Sequence, residues 1–269
     1  MPELPEVETI KNELSPRLIG QRFVRTTIYD AKLVREPSIE EFCQRLPGQV
    51  VNDIKRRGKY LIFHLSTGDV LIIHLRMSGA LLLNPGQLEK YTRAVFQFDN
   101  GSNLVFTDRR RLGVLWLVAD KQDIVGKLGP EPLNAGFAAG SLAKRLQRHQ
   151  APIKAVLLDQ TVVAGIGNMY ADEALFAAKI HPQRKTNSLS TKEIKSLYLA
   201  IREVLWTAIS NKGASIDTYK CPGGELGTAQ FNFRVAHRGG ETCPVCGTVI
   251  KRIAIRNRGS YFCPNCQKL

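Results

Sequence analysis

Cys243-Pro244-Val245-Cys246 and Cys263-Pro264-Asn265-Cys266 are two C-x2-C pairs separated by sixteen residues near the end of a 269-residue chain. That is the spacing of a tetrahedral four-cysteine zinc site in which each pair comes from a tight turn on a β-hairpin. Two disulfides, or four unrelated thiols, are the other readings open to these residues. The acidic start of the chain lacks the basic-then-apolar order of a signal peptide, so an intracellular, reducing setting is expected and disulfides are disfavoured. Four thiolates leave no open position for water, which makes the expected metal structural. Between the pairs, Ile253 and Ile255 alternate with Arg252 and Arg256, as on a hairpin with one packed face, and Arg258-Gly259-Ser260 is expected at its tip. Cys43 and Cys221 remain as ordinary thiols.

Outward from this ribbon, the chain is strongly basic. Thirty-eight Lys and Arg against 24 Asp and Glu give a formal charge of +14. The cations cluster at Lys55-Arg56-Arg57-Gly58-Lys59, at Arg109-Arg110-Arg111 and between Lys251 and Arg258, with no compensating acidic block. A single run of this kind is usually a solvated face. Three in separate regions suit a polyanion, because each neutralised phosphate releases condensed counterions. No apolar run approaches the length of a bilayer span, so no membrane partner is expected.

The length permits two or more cores, and the pattern changes along it. Val7, Ile10, Leu14 and Leu18 fall at helical spacing, predicting a first helix strained near Pro16. From Phe23 to Trp116 short β-rich runs follow: Tyr60 to Leu65, Val70 to Leu75, Ala94 to Phe98 and Leu104 to Phe106. Thr67-Gly68-Asp69 and Asn100-Gly101 read as hairpin connections, which together predict a β-sandwich or barrel. Gly126 to Gly136 is rich in glycine and proline and marks a boundary. Beyond it the period is helical, with Leu142 and Leu146, then Ile153, Val156 and Leu157, then Met169 to Ala178, which Asn168 is expected to cap. A helix N-terminus of this kind can hold a phosphate, and a plain cap between packed helices reads equally well from sequence. Ser190-Thr191-Lys192-Glu193 forms a capping box before Ile194, Leu197, Ile201 and Leu205. Gly213 through Phe233 reads as a mobile loop.

The N-terminus, Met1-Pro2-Glu3-Leu4-Pro5-Glu6-Val7-Glu8-Thr9, is on its own a rigid lead-in to a helix. If Met1 is removed, however, Pro2 presents a secondary amine. An α-amino group titrates near pH ~8 and is already partly nucleophilic at neutral pH. Such amines attack an aldehyde or sugar carbon to give Schiff bases. Retained Met1 would turn that nitrogen into a tertiary amide, and the small second residue predicts processing.

Met1 to Thr9, His74-Leu75-Arg76-Met77-Ser78-Gly79, Ala164 through Glu173 and the cysteine ribbon, in this order and spanning nearly the whole chain, resemble the bacterial formamidopyrimidine-DNA glycosylases. The resemblance implies an α+β protein: an N-terminal helix and β-sandwich catalytic domain (1–130), a helical helix-two-turn-helix DNA-binding domain (131–234) and a zinc finger (235–269). It also implies a monomeric, cytoplasmic base-excision repair enzyme. Such an enzyme acts on 8-oxoguanine and formamidopyrimidines in damaged double-stranded DNA, with one structural zinc held by Cys243, Cys246, Cys263 and Cys266. By the same likeness, Pro2 attacks C1′ of a flipped nucleotide, Glu3 handles protons at the opening sugar, Lys59 serves β-elimination, and Arg258 binds phosphate and serves δ-elimination. Asn168 matches a phosphate-binding asparagine, and His74 and Lys154 are further DNA-contact candidates. Met77 and Arg110 match residues that fill the void left by the flipped base.

Three positions depart from the family pattern. Leu112 stands where phenylalanine is usual and loses aromatic stacking, Tyr91 occupies the place of a DNA-contacting histidine, and Ser78 replaces a frequently acidic residue. Two other readings share part of this pattern. An endonuclease VIII-like glycosylase for oxidised pyrimidines shares the Pro-Glu start, but Pro2 to Glu8 favours the purine branch. A non-catalytic zinc-ribbon DNA-binding protein accounts for the charge and the cysteines but leaves Pro2, Glu3 and Lys59 without a joint role.

Overall fold

The computed structural model describes residues Met1–Leu269 and divides into two compact units. The first is Met1–Lys127 with Asn211–Gln230, and the second is Leu128–Ser210 with Phe231–Leu269.

The first unit begins with α1 (Leu4–Leu18), which runs through Pro16 to its predicted end and buries Val7, Ile10, Leu14 and Leu18. Pro5 lies in the first turn, where a missing N–H is not needed. Eleven strands follow along the chain, nine of them in this unit. Strands β1 (Phe23–Ile28), β7 (Thr92–Phe98), β8 (Asn103–Asp108) and β6 (Gly79–Leu83) form one sheet in that spatial order. Strands β2 (Val34–Glu36), β9 (Val114–Val118), β5 (Val70–His74), β4 (Tyr60–Leu65) and β3 (Val51–Arg57) form the other. Their pairing is antiparallel except between β2 and β9.

One apolar cluster draws on both sheets and on α1. Phe63, Leu71, Ile73 and Leu115 come from the five-stranded sheet, and Phe23, Leu81, Phe96 and Phe106 from the four-stranded one. The unit is therefore a β-sandwich closed by a helix, with alternate strand residues turned inward. Two short helices, α2 (Ile39–Arg45) and α3 (Gln122–Val125), complete it. The Ser38 hydroxyl caps α2 by accepting from the amide of Glu41. The returning segment adds Tyr219 and Cys221 to the same apolar cluster, and the amide of Leu83 donates to the Pro222 carbonyl at 2.7 Å.

The second unit holds α4 (Ala139–Leu146), α5 (Ile153–Leu157), α6 (Asn168–Ala177) and α7 (Thr191–Ser210), then the hairpin β10 (Lys251–Ile255) and β11 (Arg258–Phe262). The capping box before α7 is present as read: the Ser190 amide donates to Glu193 Oε2 at 2.8 Å, and the Glu193 amide donates to Ser190 Oγ at 3.2 Å. Two expectations are corrected here. Gly167, in extended backbone, holds the cap position of α6, and Asn168 is the first residue of the helix. The hairpin tip is Arg256-Asn257, both in the left-handed region at φ 44° and 61°, as a two-residue type I′ turn requires. Arg258 lies one step later and opens β11, paired with Ile255.

Candidate active site and nucleic-acid interface

At the chain start, Pro2 is buried and Glu3 is 1% exposed, so this terminus is part of the core rather than a frayed end. A reciprocal capping box fixes it. Glu3 receives the Glu6 amide, and the Glu3 amide donates to Glu6 Oε2 at 2.7 Å. The other oxygen of the Glu6 carboxylate accepts from the amide of Ala214 at 2.8 Å, and that residue belongs to the segment returning from downstream. Glu6 thus ties residues 2–3 to the stretch following Gly213. Its role was hidden in the sequence, where it read only as an acidic residue in a first helical turn.

Lys59 occupies the two-residue turn between β3 and β4, with Gly58 at φ 56° supplying the positive angle. The next residue, Tyr60, is paired with His74 across β4 and β5, and their rings meet edge-on at 4.5 Å. His74 Nδ1 accepts from the amide of Arg76 at 3.0 Å. Burial, reinforced by the charges of Arg76 and Lys59, pulls the His74 pKa down to about 3, so the ring is neutral at physiological pH. The ring of His74 therefore adds no charge beside Lys59 and Arg76.

A second group of predicted residues converges on Asp108, the last residue of β8. Its Oδ2 accepts from the amides of Leu112 and Gly113, both at 2.7 Å. Its Oδ1 accepts from the Arg110 amide at 3.0 Å and from the Ser78 hydroxyl. The Asp108 amide donates to the Tyr91 carbonyl at 2.9 Å. Around this carboxylate Met77, Leu112 and Tyr91 are exposed at 37%, 41% and 37%, so none of them is a core residue.

The three consecutive arginines are sorted by their partners. Arg109 pairs with Asp217 at 3.3 Å. Arg111 makes a two-pronged contact with Asp30, at 2.6 and 2.8 Å, and its hydrogen bonds hold the Asp30 carboxyl below its ordinary range. The guanidinium of Arg110 has no partner within the chain and is exposed. Asp108 escaped the sequence reading, although an acidic residue at a strand end with an amide two residues on is the pattern of an Asx turn.

In the second unit, Lys154 and Asn168 meet around the carbonyl of the residue that follows Arg258. Gly259, next to Arg258, accepts at 3.0 Å from Lys154 Nζ and at 3.0 Å from Asn168 Nδ2. Lys154 is 0% exposed and forms an ion pair with Asp172 at 2.7 Å, and the other Asp172 oxygen accepts from the Tyr261 amide at 3.1 Å. The structure therefore places Lys154 in the interior, where it holds the hairpin, and not on the exposed surface expected of a phosphate contact. Burial, opposed by the Lys154 charge, pushes the Asp172 carboxyl up to about 7. Glu173, also buried, accepts from the amides of Arg234, Val235 and Ala236 at 2.8 to 3.0 Å and anchors the chain entering the finger. Arg258 itself is exposed.

The four cysteine sulfurs lie within 4.8 Å of one another. Their Sγ separations are 3.9 Å for Cys243–Cys266, 3.4 Å for Cys246–Cys263 and 3.5 Å for Cys246–Cys266. Tetrahedral zinc with bonds of about 2.3 Å needs sulfur–sulfur edges of about 3.8 Å, so the donor set and its spacing fit. This is a site for one structural zinc.

Comparison with known proteins identifies the family. Three family models cover the chain in order: the formamidopyrimidine-DNA glycosylase N-terminal domain at residues 1–115, the formamidopyrimidine-DNA glycosylase H2TH domain at 128–220, and a zinc finger found in FPG and IleRS at 240–269. The formamidopyrimidine-DNA glycosylase of Chloroflexus aurantiacus is 44% identical over 99% of this chain and 98% of its own. The chain belongs to the formamidopyrimidine-DNA glycosylase family. The family member from Symbiobacterium thermophilum is 42% identical, covering 99% of this chain and 89% of its own. Among solved structures, Lactococcus lactis Fpg in complex with DNA containing an abasic site superposes with a TM-score of 0.92 at 37% identity, over 99% of this chain and all of that one. The MutM (Fpg) protein of Thermus thermophilus does so with a TM-score of 0.90 at 39% identity, over 99% of this chain and 98% of that one. No helix of this family member is long and apolar enough to cross a membrane.

Proposed function

We propose that the chain is a bifunctional DNA glycosylase and AP lyase of base-excision repair that removes oxidised purines from duplex DNA through the Pro2 amine. The observation carrying this reading is the buried, doubly capped N-terminus. A nucleophile at a chain end must be held still, and the Glu3–Glu6 box with its Ala214 bond does that. Once Met1 is removed, the Pro2 lone pair attacks C1′ of the flipped nucleotide as the bond to the base breaks, and the amine proton passes to the departing base. Glu3 supplies the proton that opens the sugar ring, leaving an iminium on Pro2. Lys59 then serves proton abstraction at C2′, expelling the 3′ phosphate. Arg258 binds phosphate, and a second elimination releases the 5′ phosphate to give a one-nucleotide gap.

Met77, Arg110 and Leu112 fill the space vacated by the base, with Arg110 facing the orphaned cytosine. His74, Tyr91 and Asn168 contact the DNA backbone, and Lys154 acts behind them by fixing the Gly259 carbonyl. The three functional regions are those at 1–130, 131–234 and 235–269, with Asn211–Gln230 packed in the first compact unit, and the enzyme works as a monomer on bacterial nucleoid DNA in the cytoplasm. The zinc keeps the finger folded and takes no part in the chemistry. Borohydride trapping on an 8-oxoguanine:cytosine duplex, followed by peptide mapping, tests this. An adduct at Pro2 is expected; no adduct from a preparation with a verified free terminus would refute it.

A further inference from the structure

We infer that Asp108 is a positioning residue that sets Met77, Arg110 and Leu112 as one preformed wedge, with the Ser78 hydroxyl as the tie between their two loops. This rests on the void-filling roles proposed above. Met77 lies on the turn between β5 and β6, and Arg110 and Leu112 lie on the loop between β8 and β9, so no local sequence rule holds them in a common arrangement. What joins them is a single carboxylate, 1% exposed, that receives four donors: the Ser78 hydroxyl and the amides of Arg110, Leu112 and Gly113. The Arg110 amide is shared with Ser78 Oγ at 3.0 Å, so the hydroxyl both donates to Asp108 and accepts from the second loop.

The geometry of the loop around these bonds leaves little slack. Arg111 sits in the left-handed region at φ 56° and is drawn to Asp30. A Cβ on Gly113 would stand 2.4 Å from the Phe106 ring, so the loop's end lies flat against the core. Leu112 and the Arg110 guanidinium are therefore held out by their backbone rather than by contacts of their own side chains. A wedge already ordered before DNA arrives loses less conformational freedom when it enters the stack. A carboxylate at position 78 would face that of Asp108; the serine hydroxyl makes the tie possible.

The test compares 8-oxoguanine opposite cytosine with 8-oxoguanine opposite a tetrahydrofuran abasic analogue, where no orphaned base remains to be engaged. For Asp108→Asn, whose amide group turns a donor toward amide donors, single-turnover base release opposite cytosine should fall about 10- to 100-fold, the scale of lost charge-assisted hydrogen bonds. Opposite tetrahydrofuran, where Arg110 has no base to face but Met77 and Leu112 still have a void to fill, the loss should be smaller, about three- to five-fold. Ser78→Ala keeps the carboxylate and its three amide donors, so it preserves the loop fold and should show the same split at about 3- to 10-fold. Equal losses on the two substrates in Ser78→Ala, or no loss, would overturn the inference by reducing Asp108 to a fold-stabilising turn. Wild-type protein that traps on neither substrate would instead overturn the proposed function on which it rests.

Discussion

Lowering the pH should destabilise the first unit through His74 in a way that a single substitution removes. In the folded protein the His74 pKa is pulled down to about 3, with burial the leading cause and the charges of Arg76 and Lys59 adding to it. In the unfolded chain it should return to about 6.5. A depressed folded pKa means that the unfolded state binds the proton first. The stabilising contribution of neutral His74 is therefore fully present above about pH 6.5 and is lost as pH falls from there toward 3. At about 1.4 kcal/mol per unit, the 1.5 units between 6.5 and 5 amount to about 2 kcal/mol.

His74→Asn is the matching perturbation, because its side-chain oxygen can take the place of Nδ1 as acceptor for the Arg76 amide without carrying a titrating ring. Urea unfolding should be followed by the emission of Trp116, which lies 6.1 Å from the Tyr60 ring, in a Trp206→Phe background. The wild type should lose about 2 kcal/mol more than the Asn variant between pH 7 and 5. Identical pH slopes in the two proteins would refute the reasoning, because the proton would then enter the folded ring as readily as the unfolded one.

Pro2→Gly, or chemical blocking of the terminus, should abolish base release in a gel assay while salt-sensitive DNA binding persists; undiminished release would point to another nucleophile. Stripping the zinc should disorder the finger bearing Arg258 and weaken duplex binding by about ten-fold or more, and unchanged affinity after verified metal loss would count against a role for the finger. Lys154→Met should destabilise the second unit by about 3–5 kcal/mol, because Asp172 loses its buried partner and must either stay charged in the interior or take up a proton. Adding Asp172→Leu should recover much of that in the double variant, and additive losses in urea unfolding would show that the two residues do not act as a pair.

The parts legible in the sequence were those fixed by local pattern. The run Tyr60 to Leu65 alternates apolar residues toward the core, and β4 has those bounds. The Ser190–Glu193 box and the cysteine spacing depend on offsets of three residues and were equally visible. The unread features are tertiary. Nothing near Lys154 in sequence reveals that Asp172 and the Gly259 carbonyl will enclose it, and the family likeness that makes it a DNA-contact candidate carries no information on its burial. Asn168 has the side chain of a good cap, yet that side chain is drawn to Gly259 and leaves the cap position to Gly167. Asp108 serves partners from two loops, one of them thirty residues earlier, and a periodicity argument has no means of pairing them. In the same way, Arg110 was matched by resemblance, but only the pairing of Arg109 and Arg111 with acidic partners shows which of three adjacent guanidiniums is left to act.

The segment Asn211–Gln230 belongs to the first unit although the whole run from Leu128 to Ser210 lies in the second. During synthesis the sandwich therefore cannot finish when residue 127 leaves the ribosome. Tyr219 and Cys221 are still missing from its core, and Glu6 has no Ala214 amide to receive. The nascent terminus bearing Pro2 acquires its last support only after the helices α4 to α7 have emerged. Cutting the gene between the two units would therefore yield neither part whole.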